Sequence, residues 1–457
     1  MAKDIINTKP LEDKEQLVQE LSSGCKQKKD WRIGTEHERF GFYKIDYSPV
    51  PYEGKNGIRA LLNGMKLKKG WDPIIDAGNI IGLTANDGMG AISLEPGGQF
   101  ELSGAPLRNI HETSQESNHH INDVREISES LGIGFLGLGG SPKWTFEDTP
   151  KMPKSRYDIM RAYMPKVGNQ GLDMMHRTCT IQVNLDFSSE EDMCRKMQVS
   201  TKLQSIAAAL FSNSPFSNGK LNGLLSWRSD IWRDTDNQRA GLHEFMIDGS
   251  LTFERYVEWA LDVPMYFVMR DGIYYDCTHI TFRQFMGGSL KGEIPDGVAN
   301  EGDWVNHLST LFPDVRLKKF LEMRGADGAP WRLLCAVPAL WVGLLYDEGA
   351  LADAQTLTDE LSIEDVIHIR ELVPRFGLKV PVGRRTVFEL AKDMVNISHK
   401  GLSERGCFNH EKVDENQFLF PLDEVIELGQ TPAENLIKEF KSKWNGNINK
   451  IFEEYSD

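Results

Sequence analysis

Residues 31–43 read Trp31-Arg32-Ile33-Gly34-Thr35-Glu36-His37-Glu38-Arg39-Phe40-Gly41-Phe42-Tyr43, a run with the residue types of a β-strand. In an extended strand alternate side chains fall on opposite faces, so Glu36 and Glu38 share one side, roughly 6.6 Å apart at ~3.3 Å of rise per residue. Two carboxylates at that separation repel one another unless positive charge sits near them. Two further segments repeat the pattern. In residues 93–102 a Pro96-Gly97-Gly98 break follows Glu95, after which Gln99 and Glu101 face one way and Phe100 and Leu102 the other. In residues 317–324, Glu322 and Arg324 share a face opposite Leu321 and Met323. Residues 177–187 alternate throughout, with Cys179, Ile181, Val183, Leu185 and Phe187 on one face and Thr178, Thr180, Gln182, Asn184 and Asp186 on the other. Taken singly, each fits a strand with one solvated face. Together they predict a sheet whose polar face gathers Glu36, Glu38, Glu101 and Glu322, with Glu95 nearby.

The rest of the chain sets limits on this picture. Its 457 residues are 40% hydrophobic, enough for a large core, and 26% charged and 9% aromatic residues exclude disorder. Lys+Arg number 52 against Asp+Glu 67, a net charge of −15, and an acidic field repels phosphate backbones and anionic lipid. Nucleic acid and membrane are therefore not expected partners. No apolar run approaches the ~20 residues of a membrane helix. The N-terminal stretch MAKDIINTKPLEDKEQ is too polar for a secretory signal and too acidic for a transit peptide, so cytoplasmic residence is expected. The six cysteines are scattered without a CxxC, which fits neither a thiolate metal site nor a disulfide framework.

No internal repeat or low-complexity linker divides the chain. One catalytic domain of α+β type is expected over 1–457, strand-rich over about 30–325 and mostly helical over about 330–457. Helical periodicity marks Ile110–Leu131, Glu190–Phe211, Leu333–Tyr346, Ile363–Leu372 and Val387–Ser403. Thr431-Pro432-Ala433-Glu434 announces a final helix, with an N-cap hydroxyl, Pro at the first position and Glu closing a capping box. His119 and His120, adjacent on a helix, point apart and are expected at the surface. Asn213-Ser214-Pro215 is expected to be structural punctuation after a helix.

Hard oxygen ligands without accompanying His or Cys select Mg²⁺ or Mn²⁺, and Mg²⁺ usually brings nucleotide phosphates with it. A phosphoryl-transfer site is the chemistry this implies, built without a Walker A loop, since no G-x-x-x-x-G-K-[ST] occurs. The Gly-rich run Gly132–Gly140 leads into Pro142 and Lys143 and reads as a packed strand and turn. Neither a G-x-S-x-G elbow nor an HExxH pair is present. A metal-dependent hydrolase, or a non-catalytic metal-binding protein, would use the same carboxylates.

Longer motifs go further. GTEHERFGF (34–42), SLEPGGQFELSG (93–104), RYDIMRAYMPKVG (156–168), HRTCTIQVNLDFSSE (176–190), SWRSDIWRDTD (226–236), EMRGADGAPWRLLCA (322–336) and TPAENL (431–436) resemble the glutamate-cysteine ligases of the plant and proteobacterial type. The resemblance runs from Trp31 to the C-terminal helix. It implies the glutamine-synthetase-like carboxylate-amine ligase fold, a curved antiparallel sheet forming a substrate funnel flanked by helices. It implies ATP as co-substrate, glutamate and cysteine as substrates, two or three Mg²⁺ ions (or Mn²⁺), and a monomer or homodimer. Another small amino acid as acceptor is the alternative. Matched motif by motif, Glu36, Glu38, Glu101 and Glu322 stand where the family holds metal, and Gln182 where a more distant branch has a metal-binding His. Arg324 resembles the arginine that steadies the transferring phosphoryl group, with Glu36 as its catalytic companion. Arg228 resembles a clamp on the glutamate α-carboxylate, with Arg233 and Arg239 as competitors, and Trp232 a wall of the cysteine pocket or else ordinary core; Gln99 is taken as a further substrate contact. Plant members can join a cysteine of a YxDCT segment to another 15 residues later. Here Cys277 holds the first position but Gly292 the second, and Ser114 replaces a further regulatory cysteine. Activity indifferent to dithiothreitol is therefore expected.

Overall fold

The computed structural model describes residues 4–456; the first three residues of the N-terminal stretch read above, and Asp457, lie outside them. The architecture is organised by one open sheet of nine strands: β1 Ile33–Tyr43, β2 Asp72–Asp76, β3 Asn79–Thr84, β4 Ala91–Leu94, β5 Phe100–Ser103, β6 Ile133–Leu136, β7 Thr180–Leu185, β8 Val315–Leu317 and β9 Leu321–Asp327. Their order is β8-β9-β7-β1-β5-β4-β3-β2, with β6 on the second half of β1, and every pairing is antiparallel. β1 is the longest strand and the hinge of this order. Its first half lies between β5 and β7, and its Phe40–Tyr43 end turns to β6.

The register turns four sequence patterns into one row. Glu36 lies opposite Gln182, Glu38 opposite Glu101, Glu322 opposite Asn184, and Ser93 opposite Glu101. Because side chains alternate, all of these point to one side, while Ile181, Val183, Leu185 and Phe187 enter the main core on the other, with the helices Glu190–Leu210 and Ala336–Leu345. A second core packs Leu94, Phe100 and Leu102 beneath the helices Ile58–Lys69 and Ile110–Leu131. β9 bulges where its pairing with β7 shifts register between Met323 and Ala326; Gly325 lies in that step.

The helical expectations hold with local differences. The run 333–346 breaks into Trp331–Leu334 and Ala336–Leu345, because Pro338 has no N–H to give the Leu334 carbonyl. Thr431 and Glu434 form the expected capping box. The strand read over 177–187 is shorter, since Arg177 closes a preceding helix. Its polar face is not solvated: Thr180 and Gln182 are buried. The surface placement of both adjacent histidines is corrected for one of them. His119 is exposed, but His120 is buried against His37, with ring centroids 5.6 Å apart, and burial lowers its pKa to about 3. The Gly-rich run supplies β6 and the turn after it. Asn213 and Ser214 are structural, as expected: the Asn213 side chain donates to the Gly137 and Gly328 carbonyls, and Ser214 Oγ donates to buried Asp327. Among the described residues no single helix is long and apolar enough to cross a membrane.

Candidate active site

The polar face of the sheet forms the floor of a cleft of about 110 Å³. Glu36, Glu38, Glu95, Glu101 and Gln182 line one side; Arg156 and Tyr157 from the helix Arg156–Tyr163, with Phe312, Arg316 and Arg324, close the other. Neighbouring groups orient each carboxylate. Glu36 accepts from Asn184 Nδ2 at 2.9 Å, Glu38 from the Thr180 N–H at 3.0 Å, and Glu101 from Ser93 and from Ser103 Oγ. Glu38 and Glu101 are directly opposite on paired strands, a placement that is repulsive when both are charged. Burial, and then the charges of Glu95 and Glu101, push the Glu38 carboxyl well above its usual range.

Glu322, expected among these carboxylates, is enclosed differently. It has no exposed surface and meets three cations: Arg316 Nη2 at 2.6 Å, Lys318 Nζ at 2.7 Å, and Arg324. Burial alone would raise its pKa, but Arg316, then Lys318 and Arg324, hold it well below the usual carboxylate range. Arg324 also donates to Gln182 Oε1 at 2.7 Å, so the amide oxygen expected to ligate metal is engaged by the arginine. Gln99, expected at the substrate, has its amide committed to backbone. Its nitrogen donates to the Met175 and Thr178 carbonyls at 3.1 and 2.9 Å, and its oxygen accepts from Gly97 N–H at 2.9 Å. It fastens the Pro-Gly-Gly turn to residues 175–178.

A second cleft adjoins the first through Arg324 and Phe312, which line both, and here Arg228 and Trp232 come together as expected. The Arg228 guanidinium lies 5.8 Å from the Trp232 ring and donates to the Arg324 carbonyl at 2.9 Å. A third, of about 550 Å³, reaches Glu36 from another side, past Lys318, Lys319, Phe320 and the Gly88-Met89-Gly90 turn. Arg156, Arg316, Lys318 and Gln204 were not singled out from sequence. Arg316 was accessible by pairing: it alternates with apolar Val315 and Leu317 just before the Glu322 segment.

Among the described residues no three carboxylate, imidazole or thiol groups converge into a ready-made metal cage. The donor chemistry nonetheless fits a hard divalent cation. Four carboxylates share one cleft, and a bound cation would offset the burial and the neighbouring carboxylates that raise Glu38.

The fold is shared with a crystal structure of glutamate–cysteine ligase from Francisella tularensis in complex with AMP, which matches with a TM-score of 0.55 at 12% identity, covering 93% of this chain and 89% of that one. The profile of Glutamate-cysteine ligase family 2 matches residues 32–454. The chain is 53% identical over 447 residues to the chloroplastic glutamate–cysteine ligase A of Oryza sativa subsp. indica, covering 98% of this chain and 88% of that one. It is 52% identical to the chloroplastic enzyme of Nicotiana tabacum, with 98% and 84% covered. The chain belongs to glutamate-cysteine ligase family 2. These relatives correct the cytoplasmic expectation, since both are chloroplastic; a polar N-terminal composition does not carry the compartment.

Proposed function

We infer that the protein uses ATP to join the γ-carboxylate of L-glutamate to the amine of L-cysteine, releasing ADP and phosphate in the first step of glutathione synthesis. The γ-carboxylate attacks the γ-phosphoryl group of ATP, giving γ-glutamyl phosphate; the amine then attacks the acyl carbon and phosphate leaves. The central barrier is electrostatic, because two anions must meet.

The single observation that carries this reading is the acidic row facing Arg316 and Arg324 across one cleft. Glu36, Glu38, Glu95 and Glu101 would hold Mg²⁺ or Mn²⁺, whose bound charge would neutralise phosphate oxygens. Arg324, fixed by Gln182 and Glu322, presents a guanidinium where the clefts meet and steadies charge on the transferring group. Glu322 and Gln182 then act by positioning that arginine. The larger cleft beside Glu36, with Lys318 and Lys319 at its wall, has room for the nucleotide. Arg228 and Trp232 hold the amino-acid end of a substrate in the adjoining cleft.

Phosphate release from ATP tests the reading, measured with and without glutamate, and with and without cysteine or 2-aminobutyrate. Release that depends on glutamate and on the acceptor supports it. Turnover without ATP would indicate the hydrolase alternative, and ATP hydrolysis indifferent to both amino acids would end the ligase reading. Comparing acceptors addresses another small amino acid, since one methylene changes discrimination by only ~1–3 kcal/mol.

A further inference from the structure

The helix Glu190–Leu210 is almost wholly core, yet it carries Gln204, whose side chain is only 3% exposed and lines the cleft of Arg228 and Trp232. Neither its amide nitrogen nor its amide oxygen has a hydrogen-bond partner among the described residues. Nor has the indole N–H of Trp232, on the same wall. A buried amide left unpaired is costly, and such groups are retained where a ligand completes them.

The surroundings indicate what kind of ligand. Gln204, Trp232 and Arg228, all bearing N–H donors, line one cleft, whereas its carboxylate, Asp314, already accepts from Arg370 Nε at 2.9 Å. Donors beside a guanidinium suit a carboxylate; the Gln204 carbonyl suits an ammonium next to it. An α-amino-acid head group presents both. The backbone makes room for this contact. At the bulge of β9, a methyl on Gly325 would run into the Gln204 amide, so the glycine beside Arg324 lets that amide reach the cleft.

We propose that Gln204 is a substrate-contacting residue that binds the α-amino-acid head group of a substrate beside Arg228. This rests on the ligase reading above and adds a specificity contact to it. In either substrate, glutamate or the acceptor, the head group has the same chemistry, so the two are separated by experiment.

Gln204→Met keeps the length and apolar body of the side chain and removes its polar atoms. KM for glutamate and for cysteine or 2-aminobutyrate is measured with the other substrates saturating. KM for one amino acid is expected to rise about 10-fold or more, with KM for ATP unchanged and Tm equal to or above that of the wild type. The amino acid whose KM moves is the one bound here. Gly325→Ala, by pushing the amide aside, is expected to raise the same KM. Thermal stabilisation of the wild type by that amino acid alone, reduced in Gln204→Met, gives a readout independent of turnover. A lowered Tm with every KM within twofold of wild type would make Gln204 a structural residue and overturn the proposal. A wild-type protein without amino-acid-dependent phosphate release would instead fail the ligase reading, while the thermal-shift comparison would still decide for or against Gln204.

Discussion

At one end of the polar row, Glu38 and Glu101 stand opposite each other on β1 and β5 with Glu95 in the same cleft; at the other, a single carboxylate, Glu322, is surrounded by Arg316, Lys318 and Arg324. Both ends lie on one face of one sheet, but their charge balance is opposite. The first sets three carboxylates side by side, and burial, then Glu95 and Glu101, raises Glu38 despite Arg228 nearby. The second is saturated, and its carboxylate stays charged. Acidic residues alike in sequence therefore do different work. One group sets carboxylates against one another, and the other fixes cations the protein already owns, among them the arginine between the clefts.

The comparison can be broken most directly at that arginine. Arg324→Ala is expected to lower glutamate-dependent phosphate release by about 10³-fold or more, the scale of a transition-state arginine; a loss under tenfold would return Arg324 to a structural role. Glu322→Gln should next reduce folding stability by roughly 3–5 kcal/mol, since it leaves two buried arginines and a half-buried lysine without their counter-charge. Denaturant unfolding would measure it, and an unchanged midpoint would show that the cations do not depend on Glu322.

Buried imidazoles away from the row respond to pH in their own way. Burial lowers the pKa of His120 and His307 to about 3 and of His243 to about 4, against 6.5 for a free imidazole. Between those values the unfolded chain binds protons that the folded chain does not. The stabilisation is thus complete above pH 6.5 and is lost as pH falls from 6.5 toward 3–4. Each imidazole contributes up to about 1.4 kcal/mol per pH unit in that window. Tm followed downward from pH 7 should fall below 6.5, and less steeply in His120→Gln; parallel curves would remove His120 from the account.

At the carboxylate-rich end the sign reverses. With divalent cations chelated, Glu38→Gln should raise stability by roughly 0.5–1 kcal/mol by relieving a cross-strand repulsion, and the increase in Tm on adding Mg²⁺ should shrink. A fall in Tm under chelation would contradict the charge imbalance described here. The smallest expected effect is none at all. Cys277 is buried and Gly292 occupies a left-handed turn at φ +80°, so dithiothreitol should leave activity unchanged. Strong activation by oxidation, lost on reduction, would require another cysteine pair.

The sheet was legible in sequence because period-two alternation with acidic residues on one face is a local signal, and Glu36, Glu38, Glu101, Gln182 and Arg324 lie on that face as their spacing required. Register was not local. Only pairing across the sheet reveals that Glu38 faces Glu101 while Glu322 meets Arg316 from the preceding strand. Gln99 shows the same limit: its face was right, but the residue 175–178 backbone that absorbs its amide comes from a distant helix end. Gln204 was hidden in a helix whose apolar stripe reads as core, since nothing local marks one polar position as unpaired. His120 was misplaced because a helix's buried side depends on what it packs against.

The row that defines the cleft draws its first side chains from β1 and its last from β9, near the two ends of the strand-rich part of the chain. During synthesis β9 emerges after all eight of the sheet's other strands, and its pairing with β7 closes a long loop, a slow class of folding event. Catalytic competence should consequently appear late in refolding, with the seating of β8 and β9. Partly folded chains would carry most of their secondary structure before the row of the cleft is complete.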